Sequence, residues 1–92
     1  MDNETPFDWA SEFKARWNNS GYSPWLTDVQ FTPVGAAYYR VKATAQGGAV
    51  YEFTPFIAVG ISPHHVTLGY FIEAFLQKLD PSRGLMPRME FR

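Results

Sequence analysis

The sequence predicts an α+β fold: a two-layer sandwich whose three-stranded antiparallel sheet carries two helices on one face, in the order helix, three strands, helix (αβββα). Three observations predict it. Trp9, Phe13 and Trp17 recur every four residues near the start, which is the apolar stripe of an amphipathic helix. Leu68, Phe71, Ile72, Phe75, Leu76 and Leu79 repeat helical spacing near the end. Between them, two runs that alternate apolar and polar residues flank Gly47-Gly48, the short-range signature of a β-hairpin.

The first helix is expected to open at Thr5-Pro6-Phe7-Asp8, with Thr5 as cap, Pro6 at the first helical position and Asp8 near the positive end of the dipole. Asn18-Asn19-Ser20-Gly21 supplies its stop. Residues 22–27 read as a connection, followed by a short alternating strand from Asp28 to Thr32. The hairpin from Tyr38 to Phe53 comes next, and its loop length decides what the sheet presents. A two-residue Gly47-Gly48 turn sets Lys42 beside Phe53 and mixes both faces. A three-residue Gln46-Gly47-Gly48 loop sets Val41 opposite Phe53, Ala43 opposite Tyr51 and Lys42 opposite Glu52. One face is then wholly apolar, and the other carries a Lys42–Glu52 ion pair among Arg40, Thr44 and Thr54. The second register is therefore the expected one. Its last strand is expected to run on through Phe56-Ile57-Ala58-Val59 to Gly60, with Pro33 and Pro55 at an edge, a strand start or a bulge.

Ser62-Pro63 repeats the cap-then-proline opening for the second helix, and Asp80-Pro81 ends it. Thr67, Tyr70, Glu73, Ala74, Gln77 and Lys78 fall on its outer side, with Lys78 in the last turn where a cation suits the dipole. Residues 82–92 show no helical period. Residues 1–92 are expected to form a single domain, with 1–4 and 82–92 as extended or flexible ends.

This element order, with its length and helix placement, resembles the double-stranded-RNA-binding domain over about residues 5–80. In that family RNA contact depends on a lysine cluster opening the second helix and a histidine between the first two strands. Here the helix opens Ser62-Pro63-His64-His65-Val66, and the loop at Pro33-Val34-Gly35 has no histidine. The resemblance therefore implies an architecture, and the residues that bind RNA in the family are not carried over.

Composition narrows the function classes. A 92-residue chain buries roughly two-thirds of its unfolded surface, enough for one core without staples. With no cysteine, a disulfide scaffold, a thiolate metal site and a cysteine nucleophile are all excluded. The start Met-Asp-Asn-Glu-Thr-Pro is the reverse of a signal peptide's basic then apolar pattern, and no stretch approaches the roughly 20 apolar residues of a membrane span. A soluble, cytoplasmic protein is the expectation. Net charge is −1, which favours neither nucleic acid nor a basic partner. Residues 1–12 carry four acids and no base, whereas residues 78–92 hold Lys78, Arg83, Arg88 and Arg92 against Asp80 and Glu90.

Catalytic constellations are not apparent. His64 and His65 are adjacent, hence about 100° apart on a helix, and the positions four residues away are Gly60, Leu68, Ile61 and Gly69, none a metal ligand. Glu52 faces Lys42, Glu73 lies on the outer helix side, and no nucleophile motif surrounds any serine. No phosphate loop follows the glycines. The expectation is a non-enzymatic chain with no metal and no cofactor.

Aromatic residues make 17% of the chain, and Tyr38, Tyr70, Trp25 and Phe91 have no place on the predicted inward faces. Exposed aromatics beside arginine are enriched at protein interfaces. The leading expectation is thus a protein-binding module that docks on a larger protein or ribonucleoprotein complex through Tyr38, Arg40, Lys42, Tyr70, Arg83, Arg88 and Arg92. Its size is that of small phage- or mobile-element-encoded inhibitors of host defence complexes, including the anti-CRISPR type. The alternatives are a nucleic-acid-binding domain, with at most weak direct affinity expected from the balanced charge, and a structural homo-oligomer such as a homodimer joined at a sheet edge.

Overall fold

A computed structural model describes residues 7–81. The element order is α1 (Trp9–Asn19), β1 (Leu26–Val34), β2 (Tyr38–Ala45), β3 (Val50–Phe53) and α2 (His64–Leu79). The strands form one antiparallel sheet in the order β1-β2-β3, so every ladder joins neighbours in the chain. This is the predicted αβββα sandwich.

The hairpin adopts the three-residue loop. Val41 faces Phe53, Lys42 faces Glu52 and Ala43 faces Tyr51. The Ala45 N–H donates to the Ala49 carbonyl at 2.7 Å and the Gly48 N–H to the Ala45 carbonyl at 2.9 Å, closing the loop around residues 46–48. Gly47 and Gly48 sit at φ +99° and +102°, where any side chain is strained, and this explains the glycine pair. The expected ion pair is corrected: Lys42 and Glu52 are opposite in register, but no hydrogen bond or ion pair joins them among the described residues. Two exposed side chains gain too little in water to be held in one geometry.

The alternation puts Val41, Ala43 and Ala45 wholly inside, and both helices cover that face. Trp9, Phe13 and Trp17 of α1 are buried, as are Leu68, Phe71, Ile72 and Phe75 of α2. Phe75 is the hub of the ring cluster, with centroids 5.9 Å from Phe13, 4.6 Å from Trp17, 5.7 Å from Tyr51 and 5.3 Å from Phe53. Phe31 of β1 joins Phe13, Tyr39 and Phe71 in the same layer. Edge-to-face and offset pairs of this kind add to the area they bury.

Three expectations about the helices change. The cap of α1 is Asp8 and its first helical residue is Trp9; Thr5 and Pro6 lie outside the described residues. Asp8 wins because its carboxylate accepts from both the Ser11 N–H (3.1 Å) and the Ser11 hydroxyl (2.8 Å). The cap of α2 is Pro63, not Ser62, and no side chain caps it. Pro63 holds extended backbone (ψ 151°), which forces the turn to start one residue later, at His64. Thr67, expected outside, is buried, and its hydroxyl donates to the Pro63 carbonyl at 3.3 Å. This back-bond satisfies the group and lets its methyl join the core.

The strands also differ from expectation in extent. β1 reaches from Leu26 to Val34, longer than 28–32, with an irregularity between Leu26 and Asp28. Pro33 is tolerated because β1 is an edge strand. β3 stops at Phe53, because Pro55 has no N–H to continue the ladder. Beyond it the in–out alternation persists, with Pro55 and Ile57 buried and Phe56 exposed, and the Val59 N–H donates to the Ala37 carbonyl at 2.9 Å.

Two contacts close the sandwich at its seams. The Asn18 side chain, at the end of α1, accepts from the Leu26 N–H and donates to the Leu26 carbonyl, each at 2.9 Å. It thereby occupies the free edge of β1 where the strand begins. Arg16 reaches across to α2 and donates to the His65 carbonyl at 2.9 Å, with its guanidinium 3.7 Å from where a Cβ on Gly69 would stand. That is ordinary van der Waals distance, so an alanine at Gly69 would fit against the guanidinium without displacing it.

The Ser11 backbone N–H, and then its hydroxyl, hold the Asp8 carboxyl below the usual aspartate value. A depressed folded-state value means the cap contributes fully above the ordinary aspartate pKa, and the contribution is lost as pH falls through the lowered value. Melting curves of wild type and Asp8→Ala should therefore differ at neutral pH and converge in acid. A gap that stays constant into strongly acidic buffer would show that the charge plays no part.

Candidate docking face

With both helices on one side, the opposite sheet face is built from the outward residues of each strand. Register aligns Val34 with Tyr38, Thr32 with Arg40, Gln30 with Lys42 and Asp28 with Thr44, and Glu52 stands on the far side of Lys42. Arg40, Lys42, Thr32, Gln30, Asp28 and Glu52 are all exposed. The formal charges on this face cancel, two cations against two carboxylates. Arg40 differs from Lys42 in its surroundings. Lys42 has Glu52 opposite it, whereas Arg40 faces Thr32 on one flank, and β3 has already ended on the other.

Tyr38 opens β2 on this face at 39% exposure. Phe56, carried there by the alternation that continues past β3, is 87% exposed, and its ring lies edge-on to Tyr38 with centroids 6.3 Å apart. Single exposed apolar residues are ordinary on protein surfaces, but two neighbouring rings beside an arginine that has no partner among the described residues are a denser feature.

The predicted partner-binding residues separate into groups. Tyr38, Arg40 and Lys42 do share one face. Tyr70, 37% exposed, belongs to α2 and hence to the layer on the other side of the sheet, so the structure does not bring it to them. Arg83, Arg88 and Arg92 lie outside the described residues, as does Phe91. Trp25 is 54% exposed as expected, and sits near the hairpin loop, where its carbonyl accepts from the Gln46 N–H.

Phe56 is the residue that sequence reasoning missed as a site member. It was legible as an outward position once the alternation from Tyr51 was carried across Pro55.

Elsewhere the surface offers less chemistry. An open 270 Å³ groove at the start of α1 is lined by Phe7, Asp8, Trp9, Phe31, Pro33 and Tyr39, and its one carboxylate is the helix cap. The His64 ring packs on Phe7 and Trp9, at 4.3 and 5.2 Å between centroids. No three potential metal ligands cluster among the described residues, and no helix there is long and apolar enough to cross a membrane. No family model, curated protein or solved structure matches this chain.

Proposed function

We propose that this protein is a non-enzymatic binding module that docks on a larger protein, or on the protein part of a ribonucleoprotein complex, through the outer face of its sheet. The observation that carries the reading is the Tyr38–Phe56 ring pair held in water on that face beside Arg40 and Lys42. Aromatic residues and arginine are the side chains that dominate binding energy at protein interfaces. The sheet holds the backbone of Tyr38, Arg40 and Lys42 in place on one strand, which lowers the ordering cost of binding. The specific form of the proposal is a small inhibitor of the kind that phages and mobile elements direct against host defence complexes; the chain's 92 residues fall in the size range of such proteins.

A photo-reactive phenylalanine analogue at Thr32, on the docking face, should cross-link to a protein in cells expressing the chain. The same analogue at Glu12, exposed on the helix side, should not. Equal labelling from both positions would remove the sheet face from the proposal.

The nucleic-acid alternative makes a different demand. Phosphate binding needs several uncompensated cations, and affinity then falls steeply with salt. On this face Asp28 and Glu52 balance Arg40 and Lys42. Titration with labelled single- and double-stranded oligonucleotides at two salt concentrations should show affinity no tighter than about 10⁻⁶ M at physiological salt, the non-specific range. Sub-micromolar binding by the isolated protein would replace the protein-docking reading with a nucleic-acid one.

A further inference from the structure

The docking face is not uniform, and its composition specifies what suits it. Along β2 the outward residues run Tyr38, Arg40, Lys42, Thr44. Successive outward positions on a strand lie roughly 7 Å apart. Arg40 therefore stands about one such step from the apolar pair formed by Tyr38 and Phe56. Its guanidinium makes no hydrogen bond, ion pair or ring contact among the described residues. The nearest acid across the ladders, Glu52, is opposite Lys42. Guanidinium is a fixed fork of donors suited to a carboxylate, which it can hold in two parallel hydrogen bonds. An apolar anchor point and an unspent carboxylate receptor thus sit side by side.

We propose that Tyr38, Phe56 and Arg40 form the anchoring centre of the docking face, and that its occupant is a protein segment presenting a bulky apolar side chain with an Asp or Glu about two residues away in an extended strand. The apolar side chain covers the Tyr38 and Phe56 rings while the carboxylate takes the Arg40 fork. Charge complementarity selects this occupant over nucleic acid, because a phosphate chain passing Arg40 also meets Glu52 and Asp28 on the same face. It also selects against a basic segment, which would leave Arg40 facing like charge. The inference rests on the reading of the outer sheet face as the docking face, and deepens it by naming the partner's chemistry.

The test uses the full chain against a random linear peptide library displayed on phage, with Arg40→Glu and Phe56→Ser selected in parallel. Both substituted residues are exposed, and unchanged melting temperatures verify that the variants fold. Wild type should enrich peptides pairing Leu, Phe, Met or Trp with a nearby Asp or Glu. A synthetic consensus peptide should bind each variant at least tenfold more weakly, and Arg40→Glu should select a basic residue where wild type selects an acid. A consensus without an acid overturns the inference, and so does a selection in which no binder depends on Arg40 and Phe56. In either case the Thr32 cross-link would still decide the broader docking reading by itself. Sedimentation at two concentrations adds one more arm. A dimer that Phe56→Ser dissociates would assign the centre to a second copy of the chain and overturn the proposed occupant.

Discussion

Phe75→Ala is expected to lower the free energy of unfolding by about 3–5 kcal/mol, the range for emptying a fully buried aromatic site. Against a native margin of about 5–15 kcal/mol, that loss brings the chain close to unfolding. Phe75 is wholly buried and contacts rings from α1, β2's partner strand β3 and the inner sheet face at once, so no single neighbour can move to refill the space. Lys42→Ala, on the outer face and without an ion pair among the described residues, should cost less than about 1 kcal/mol. Urea denaturation of both variants makes the comparison. Similar losses at the two positions would mean that Phe75 is not the packed hub of the core or that Lys42 does not face solvent.

The second large effect is expected at Asn18, where one side chain serves both backbone groups of Leu26. Asn18→Ala leaves a part-buried N–H and a part-buried carbonyl without their partner. Each such group costs about 1–3 kcal/mol when unsatisfied. Water reaches a part-buried site, so the lower end applies to each and the sum is about 2–3 kcal/mol. Hydrogen exchange should show the Leu26 amide losing its protection while the amides of the β2–β3 ladder keep theirs. A variant that retains Leu26 protection and unfolds at the wild-type urea concentration would show that the strand edge needs no cover.

These two sites were unequally legible in the sequence. Phe75 could be read because a helix repeats its environment every three to four residues, and a run of Leu, Phe and Ile at that spacing has one inward solution. The hairpin register could be read for a related reason: only the three-residue loop separates Val41, Ala43, Tyr51 and Phe53 from Arg40, Lys42 and Glu52. Asn18 could not. Asparagine at a helix end reads as a stop signal, and its bonds to Leu26 depend on how the chain returns through residues 20–25, which no local pattern encodes. The same holds for Thr67, whose hydroxyl shares the Pro63 carbonyl with the Val66 and Thr67 N–H groups of the first turn. The cap of α1 was misplaced because Thr5-Pro6 and Asp8 are both acceptable helix openings locally. The choice fell to the serine three residues after Asp8.

For the candidate site, alternation gave Tyr38, Arg40 and Lys42 their common side, because side-chain direction along a strand is a parity. It gave no relation between that side and Tyr70, since the placement of a helix layer is a tertiary outcome. Parity gives Phe56 the same outward side, but its exposure and its ring contact with Tyr38 depend on the path of the chain after β3 ends, which no local pattern encodes.

The order β1-β2-β3 has a kinetic consequence. Each ladder joins strands adjacent in the chain, so both hairpins close short loops, and the entropy of closure is spent in small steps. The long-range closure falls to the helices, where Arg16 meets a carbonyl 49 residues away. A meander that zips locally and is then roofed by its two terminal helices has a low search cost, and its transition state is expected to hold the β2–β3 turn before the α1–α2 seam. Interactions made only after that barrier govern the rate of coming apart. The Arg16–His65 seam is therefore placed to set how long the native molecule lasts rather than how fast it forms.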